Sequence, residues 1–155
     1  MNRLLYSLIL IGLFACDENR IFEDNYRLTE KYWHVDTVAS FTFDINEPNE
    51  NYDLFINIRN SSAYPYYNLY VKFILEDSAG NELLSDLENL ILFDSKTGQP
   101  KGSGLGDVFD HQFELVEKFQ FQKPGSYTMK YQQFMRIDSL PMIHFVGARI
   151  AKTID

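Results

Sequence analysis

The chain has 155 residues, which is the size of a single domain, and its 45% content of hydrophobic residues is enough to bury a core. Its 13 Phe and 10 Tyr residues favour β-strands over helices. The net charge of −8 at pH 7 excludes the basic surface that nucleic-acid binding requires, and it also excludes electrostatic attraction to an anionic membrane.

The first predicted element is an apolar segment that ends at the only cysteine of the chain. Residues 4–15 are mainly apolar and follow the basic Arg3. This segment is shorter than the roughly 20 residues of a membrane-spanning helix and is typical of a signal peptide. Leu13-Phe14-Ala15-Cys16 resembles a bacterial lipobox. We therefore interpret residues 1–15 as a lipoprotein signal peptide and Cys16 as the lipidated N-terminus of the mature chain.

Two other roles of the cysteine need to be weighed. A disulfide within the chain is excluded, because Cys16 has no second cysteine to pair with. An ordinary secretory signal that happens to contain a cysteine stays open as the alternative. Lipidation explains both the single copy and the position, since a membrane anchor needs one thiol directly after the signal peptide.

The next segment is rich in charge. Residues 17–32 are mostly charged, with scattered apolar positions. A flexible tether of this length has an r.m.s. end-to-end span of roughly 22 Å. We therefore predict that residues 16–32 form the lipidated N-terminus and a flexible tether, and that the folded domain covers residues 33–155.

From Trp33 onward, apolar and polar residues alternate in runs separated by turns rich in Pro, Gly and Asn. The alternating runs are 41–45, 52–59, 69–76, 127–132 and 143–150. Such alternation predicts antiparallel strands with one buried face. Seven to eight such strands predict an all-β domain, an antiparallel β-sandwich of jelly-roll or immunoglobulin-like type.

One segment fits two kinds of secondary structure. Apolar residues over 83–91 recur at helical spacing, whereas residues 90–93 are equally typical of a buried strand. We predict a strand around 88–93, and a short helix at 82–87 stays open.

Residues 94–107 form the longest stretch of the domain without periodicity, and they hold four glycines and one proline. The stretch lacks the Lys-Ser/Thr ending of a phosphate-binding loop, and no βαβ pattern surrounds it. Loops of this length are usually functional or disordered. We predict a flexible loop in which Gly102, Gly104 and Gly106 contact a partner or close the sandwich.

The most unusual local feature is Tyr64-Pro65-Tyr66-Tyr67. Aromatic rings at a proline turn can anchor a protein interface, stack on sugar rings or close one end of the sandwich. These three alternatives stay open. Tyr64, Tyr66 and Tyr67 are therefore candidate interface residues.

The residues that bind metals or carry out catalysis do not form a recognisable motif. His34, His111 and His144 are far apart and belong to no metal-binding pattern, so we predict a structural role for each. Asp107 and Asp110 could bind Ca²⁺, but no EF-hand pattern surrounds them. We therefore expect no metal, no cofactor and no enzymatic activity.

Three arginines lie in apolar alternating stretches, namely Arg59, Arg136 and Arg149. A guanidinium in such a place pairs with a carboxylate or carbonyls, or lies on an exposed face. We predict half-buried pairing, with a role in an interface as the alternative.

Several further stretches are informative when they are taken together. They are the lipobox, YDLFINIRN at 52–60, Tyr64-Pro65-Tyr66 with Asn68-Leu69, the glycine pattern at 102–107, QFMRIDSLP at 133–141 and VGARI at 146–150. In combination they resemble the gliding-motility lipoprotein GldH family of Bacteroidota. Their order and spacing cover essentially the whole chain.

This resemblance implies a non-enzymatic envelope lipoprotein that is needed for gliding motility and for the associated type IX secretion machinery. The implied partners are the membrane, through Cys16, and other gliding or secretion proteins of the envelope. We expect the protein on the periplasmic side of the outer membrane. A glycan-binding envelope lipoprotein is the alternative function, on the basis of Trp33 and the tyrosines at 64–67.

Overall fold

The computed structural model of the protein describes residues 17–154, so Cys16 and the predicted signal peptide lie outside the described residues. The described chain is built from strands and one short 3₁₀ helix, Thr29–Lys31. The strands are β1 (Arg20–Arg27), β2 (Tyr32–His34), β3 (Ala39–Ile45), β4 (Tyr52–Ser61), β5 (Asn68–Asp77), β6 (Glu82–Ile91), β7 (Ser103–Leu105), β8 (Val108–Phe119), β9 (Gly125–Gln133), β10 (Ser139–Pro141) and β11 (Ile143–Lys152).

The strands form an antiparallel β-sandwich, as predicted. The first sheet has the order β1-β11-β4-β8-β7, the second sheet has the order β3-β9-β5-β6, and β10 and β2 form a separate ribbon. The eight long strands divide equally between the sheets, and β1 and β3 lie in different sheets. This arrangement is the jelly roll, since an immunoglobulin-like sandwich keeps its first two strands together.

Alternation along the strands builds the core between the two sheets. In β4, Leu54, Ile56 and Ile58 are buried, whereas the intervening residues face outward and are partly exposed. Ile56 lies opposite Ala148 of β11 and Phe113 of β8. The period of two seen in the sequence therefore reports directly which side chains face the other sheet.

The structure differs from the flexible tether predicted over residues 16–32, because most of the described part of this segment lies in strands or in the 3₁₀ helix. Residues Arg20–Arg27 are strand β1, which pairs with β11 at the edge of the first sheet. Its exposed charged residues suit an edge strand, because charge at an edge discourages pairing with other chains. Phe22 packs against the core, with its ring 5.7 Å from that of Phe43.

The helix considered at 82–87 is wrong, and the strand predicted around 88–93 is longer than expected. Strand β6 runs over Glu82–Ile91 and pairs with β5 along that length. Leu84 and Leu90 pack toward the core, whereas Leu83 and Leu87 are exposed on the other face. Leucines on both faces of an edge strand happen to reproduce helical spacing.

The sandwich has two ends of different character. We call one the polar end, formed by the connections at 46–51, 78–81 and 120–124, and the other the aromatic end, formed by 62–67, 92–107 and 134–142. Strand β4 runs from the polar end at Tyr52 to the aromatic end at Ser61.

Candidate functional site

The predicted tyrosine cluster divides into one buried and two exposed side chains. Tyr64 is buried, and its hydroxyl donates a hydrogen bond of 2.8 Å to the carbonyl of Asn68. Burial raises the pKa of the Tyr64 phenol, so the neutral donor form is favoured. Tyr66 and Tyr67 are 38% and 48% exposed. Tyr64 thus closes the aromatic end, whereas the other two rings are free to meet a partner.

The buried ring is held by a chain of aromatic contacts. Tyr64 stacks on Phe93 at 6.4 Å and meets Tyr66 edge-on at 5.8 Å. Phe93 in turn contacts Phe109 of β8 at 6.3 Å. Backbone amides of Leu92 and Phe93 each donate a 2.9 Å hydrogen bond to the carbonyl of Tyr67. These contacts fix the exposed tyrosines on a rigid support.

The glycine segment is a hairpin and not the flexible loop that its composition predicts. Strand β7 pairs with the start of β8, with Gly104 opposite Phe109. A side chain at Gly102 or Gly104 would collide with the backbone of β8. Gly106, in the turn, has a φ of 73°, a conformation that favours glycine. The glycines therefore permit close strand pairing and a tight turn.

The hairpin and the tyrosine segment are joined. The amide of Ser62 donates a 2.7 Å hydrogen bond to the carbonyl of Asp107. A shallow cleft of about 350 Å³ lies beside this contact, and its lining includes Tyr66, Tyr67 and Phe109. The structure thus brings the two predicted candidate regions to the same end of the sandwich.

Two exposed apolar residues at this end, Leu105 and Phe134, were not among the candidate residues, and Phe134 is 54% exposed. Leu105 is the last residue of β7 and is 94% exposed. Its signal was a single large apolar residue between Gly104 and Gly106 in an otherwise polar stretch. We call Tyr66, Tyr67 and Leu105 the aromatic-end surface.

The three histidines have different surroundings and occupy separate strands. His111 in β8 is buried and stacks on Phe113 at 5.9 Å. Its Nε2 has no hydrogen-bond partner among the described residues. Burial lowers the pKa of His111, although the Asp110 carboxylate opposes this shift. His34 in β2 is exposed, and His144 lies in β11.

We expect the free energy of unfolding to fall as the pH drops below about 6.5. Between the lowered pKa of folded His111 and the ordinary value of 6.5, the unfolded chain binds more protons, so acid favours unfolding. The slope for one histidine is at most about 1.4 kcal/mol per pH unit. Urea unfolding at a series of pH values measures it. His111→Phe should reduce the slope, and part of it should remain because burial also lowers the pKa of His144. Ser40→Ala, an exposed change that removes no titratable group, should leave the slope as it is. An unchanged slope in His111→Phe would contradict this assignment.

Two of the three predicted arginines form ion pairs on the outer face of the first sheet. Arg59 binds Asp110 through two hydrogen bonds of 2.5 and 2.7 Å, and its guanidinium lies 4.3 Å from the ring centre of Phe145. Arg149 binds Asp17 at 2.6 Å. Arg136 is exposed and forms no ion pair within residues 17–154.

The remaining candidates from the sequence concern metal binding and membrane-spanning segments. Asp110, a candidate Ca²⁺ ligand, is held by Arg59. In the part of the chain from 17 to 154, no group of three or more His, Cys, Asp or Glu residues could hold a metal ion. Over the same residues, no helix is long and apolar enough to cross a membrane.

Two solved structures show a distant likeness to this chain. The VP2 subviral particle of infectious bursal disease virus has a TM-score of 0.43 at 9% identity, covering 88% of this chain and 33% of that chain. A CBM35 domain from Cellvibrio japonicus Abf62 has a TM-score of 0.35 at 11% identity, covering 86% of this chain and 100% of that chain.

Comparison with known sequences shows to which family the chain belongs. The family model described as GldH lipoprotein matches residues 20–150. The gliding motility lipoprotein GldH homolog of Christiangramia forsetii is 31% identical, covering 96% of this chain and 93% of that protein. The gliding motility lipoprotein GldH of Flavobacterium johnsoniae is 30% identical, covering 96% of this chain and 95% of that protein. With the matches spanning nearly its whole length, the chain belongs to the GldH lipoprotein family.

Proposed function

We propose that this protein is a non-enzymatic, lipid-anchored component of the cell envelope that acts in gliding motility and in the associated type IX secretion machinery. It is attached to the membrane through Cys16 and resides on the periplasmic side of the outer membrane. It works by binding other envelope proteins of that machinery through the aromatic-end surface.

The observation that carries this proposal is family membership over nearly the full chain, because the two relatives are named for gliding motility. The aromatic-end surface supports the protein-binding part. Tyrosine rings on a rigid support are frequent anchors of protein interfaces, since they bury a large area at a low cost in side-chain entropy. Tyr66 and Tyr67 are such rings.

Cross-linking in intact envelopes tests the proposal. The full-length protein with a C-terminal tag is cross-linked, purified and analysed by mass spectrometry. We expect recovery of motility or secretion-machine proteins with the wild type. The double variant Tyr66→Ala/Tyr67→Ala should lose most of this recovery, because removing interface aromatics often costs 2 kcal/mol or more, about a 30-fold loss of affinity.

A matched control separates the interface from general exposure of tyrosine. Tyr70 in β5 is 39% exposed, close to the 38% of Tyr66, and it does not line the cleft of the aromatic end. Tyr70→Ala should leave the recovered proteins unchanged. Recovery of the bait alone, with lipid on Cys16 confirmed by mass, would remove the machine-component function.

Glycan binding is a second candidate, favoured by one observation. The exposed rings of Tyr66 and Tyr67 border a cleft that also contains the polar residues Ser62 and Asp94. Aromatic faces beside polar groups suit the stacking of sugar rings. A glycan array with the purified protein decides between the candidates. No signal, or a signal that survives Tyr66→Ala, would remove this site from consideration.

A further inference from the structure

The residues directly after Cys16 are attached to the body of the domain. The carboxylate of Asp17 accepts a 2.6 Å hydrogen bond from Arg149, and the carbonyl of Asp17 accepts one of 3.2 Å from the amide of Arg20. The carbonyl of Asn19 accepts a 2.8 Å hydrogen bond from the amide of Lys152. The chain is therefore held to the first sheet from Asp17 onward, before β1 begins.

The arginine at this attachment is itself well supported. Only 16% of the Arg149 side chain is exposed, and its guanidinium also lies 3.4 Å from the Glu23 carboxylate and 5.8 Å from the ring centre of Phe55. The hydrogen bond from Arg149 lowers the pKa of Asp17, which favours the ionised carboxylate that the pair requires. We call the Asp17–Arg149 pair the N-terminal clamp.

The clamp lies toward the polar end of the sandwich. Its neighbour Lys152 lies opposite Tyr52, the first residue of β4, and the ammonium of Lys152 is 2.6 Å from the Glu47 carboxylate. The amide of Thr153 donates a 2.9 Å hydrogen bond to the carbonyl of Asn51. The connections at this end expose polar side chains, among them Glu50, Asn81 and Gln122.

The aromatic-end surface lies at the other end of the same strands. Strand β4 has 10 residues between the two ends. At about 3.3 Å per residue, the ends are separated by about 30 Å. Residue 16 can lie no farther than about 3.8 Å from residue 17 along the chain, Cα to Cα. Arg149 of the clamp lies opposite Phe55, which is six residues or about 20 Å along β4 from Ser61. A lipid on Cys16 would thus start beside the clamp, nearer to the polar end than to the aromatic end.

We propose that the lipidated protein stands on the membrane with its polar end against the lipid headgroups and displays Tyr66, Tyr67 and Leu105 about 30 Å away. This inference rests on the proposed lipidation of Cys16. The headgroup layer is the occupant that suits the polar end, because it is hydrated and does not require apolar side chains to insert. The partner of the aromatic-end surface is accordingly a protein on the aqueous side, away from the bilayer.

Short-range quenching from lipid headgroups tests this orientation. The lipidated full-length protein is placed in vesicles of phosphatidylethanolamine and phosphatidylglycerol that carry a nitroxide on some headgroups. Ser78→Cys at the polar end and Ser95→Cys at the aromatic end are labelled with a fluorescent thiol reagent. Labelling is specific because Cys16 is the only native cysteine and its thiol is occupied by lipid. We expect the label at 78 to be quenched several times more than the label at 95.

Two variants show whether the clamp determines the orientation. Ten Gly/Ser residues inserted between Cys16 and Asp17 leave the contacts of residues 17–154 in place but add a flexible span of roughly 17 Å. Arg149→Gln breaks the clamp and leaves the spacing unchanged. Each variant should reduce the difference in quenching between the two labels.

The outcomes distinguish this inference from the function on which it rests. Intact mass and co-sedimentation with vesicles report lipidation, and their failure would overturn both proposals. A lipidated, vesicle-bound protein with equal quenching at 78 and 95, or with stronger quenching at 95, would overturn the upright orientation alone. An undiminished difference in the variant with the ten-residue insertion would show that the clamp does not set the orientation.

Discussion

Replacing Cys16 with serine is expected to move the protein from the membrane fraction to the soluble fraction of the envelope almost completely. Each buried CH₂ of an acyl chain contributes about 0.8 kcal/mol, and two or more chains give stable anchoring. Serine offers no thiol for acylation. The segment over 4–15 is shorter than the roughly 20 residues needed to span a bilayer. Fractionation and metabolic labelling with an alkyne fatty acid measure the effect.

The matched control for this variant is Ser40→Ala, an exposed substitution on β3 of the body that should leave fractionation and labelling unchanged. Intact mass adds a second readout, because the wild type should lack residues 1–15 and carry lipid. A Cys16→Ser protein that stays in the membrane fraction with acyl label attached would place the anchor elsewhere.

Replacing Trp33 with alanine is expected to lower the free energy of unfolding by about 3–5 kcal/mol. The side chain of Trp33 is fully buried, and its Nε1 donates a 2.9 Å hydrogen bond to the carbonyl of Thr37. Trp33 also pairs with Leu140 where the short ribbon of β2 and β10 closes. A loss of this size is a large share of the roughly 5–15 kcal/mol by which domains are stable.

Urea unfolding followed by far-UV circular dichroism measures this loss, because Trp33 is the only tryptophan and the variant has no tryptophan fluorescence. Trp33→Phe keeps most of the buried ring and should lose less. The neighbouring Tyr32→Ala is a surface change expected to stay within about 0.5 kcal/mol of the wild type. If Trp33→Ala lost less than about 1 kcal/mol, the packing of this ring would not be a major support of the fold.

The central strands could be predicted because apolar and polar residues alternate along them, and this alternation matches the pattern of buried and exposed side chains. Leu54, Ile56 and Ile58 were predicted to lie on one face of a strand, and all three are buried in β4, between β11 and β8. Alternation shows only that one face of a strand is buried, and either kind of sandwich satisfies this condition. The strand order in space therefore had to come from the structure, and it is the jelly roll.

Two edge strands, β1 and β6, were predicted poorly for a shared physical reason, whereas the edge strand β3 buries one face and alternates strictly. An edge strand with little burial has no strict alternation, so its sequence resembles a charged tether in β1 and a helix in β6. Their backbones are nevertheless ordered by pairing with β11 and β5. Such pairing depends on the neighbour rather than on the strand's own residue types.

The sequence by itself determined the all-β class, the main strands and the family resemblance, which the family match confirms. These properties follow from local residue patterns. Only the tertiary structure decided that Tyr64 is buried while Tyr66 and Tyr67 are exposed, and that the glycine segment joins them as a hairpin. It also decided that Asp17 meets Arg149, 132 residues away along the chain. Contacts between distant segments depend on how the sheets assemble, which local pattern does not encode.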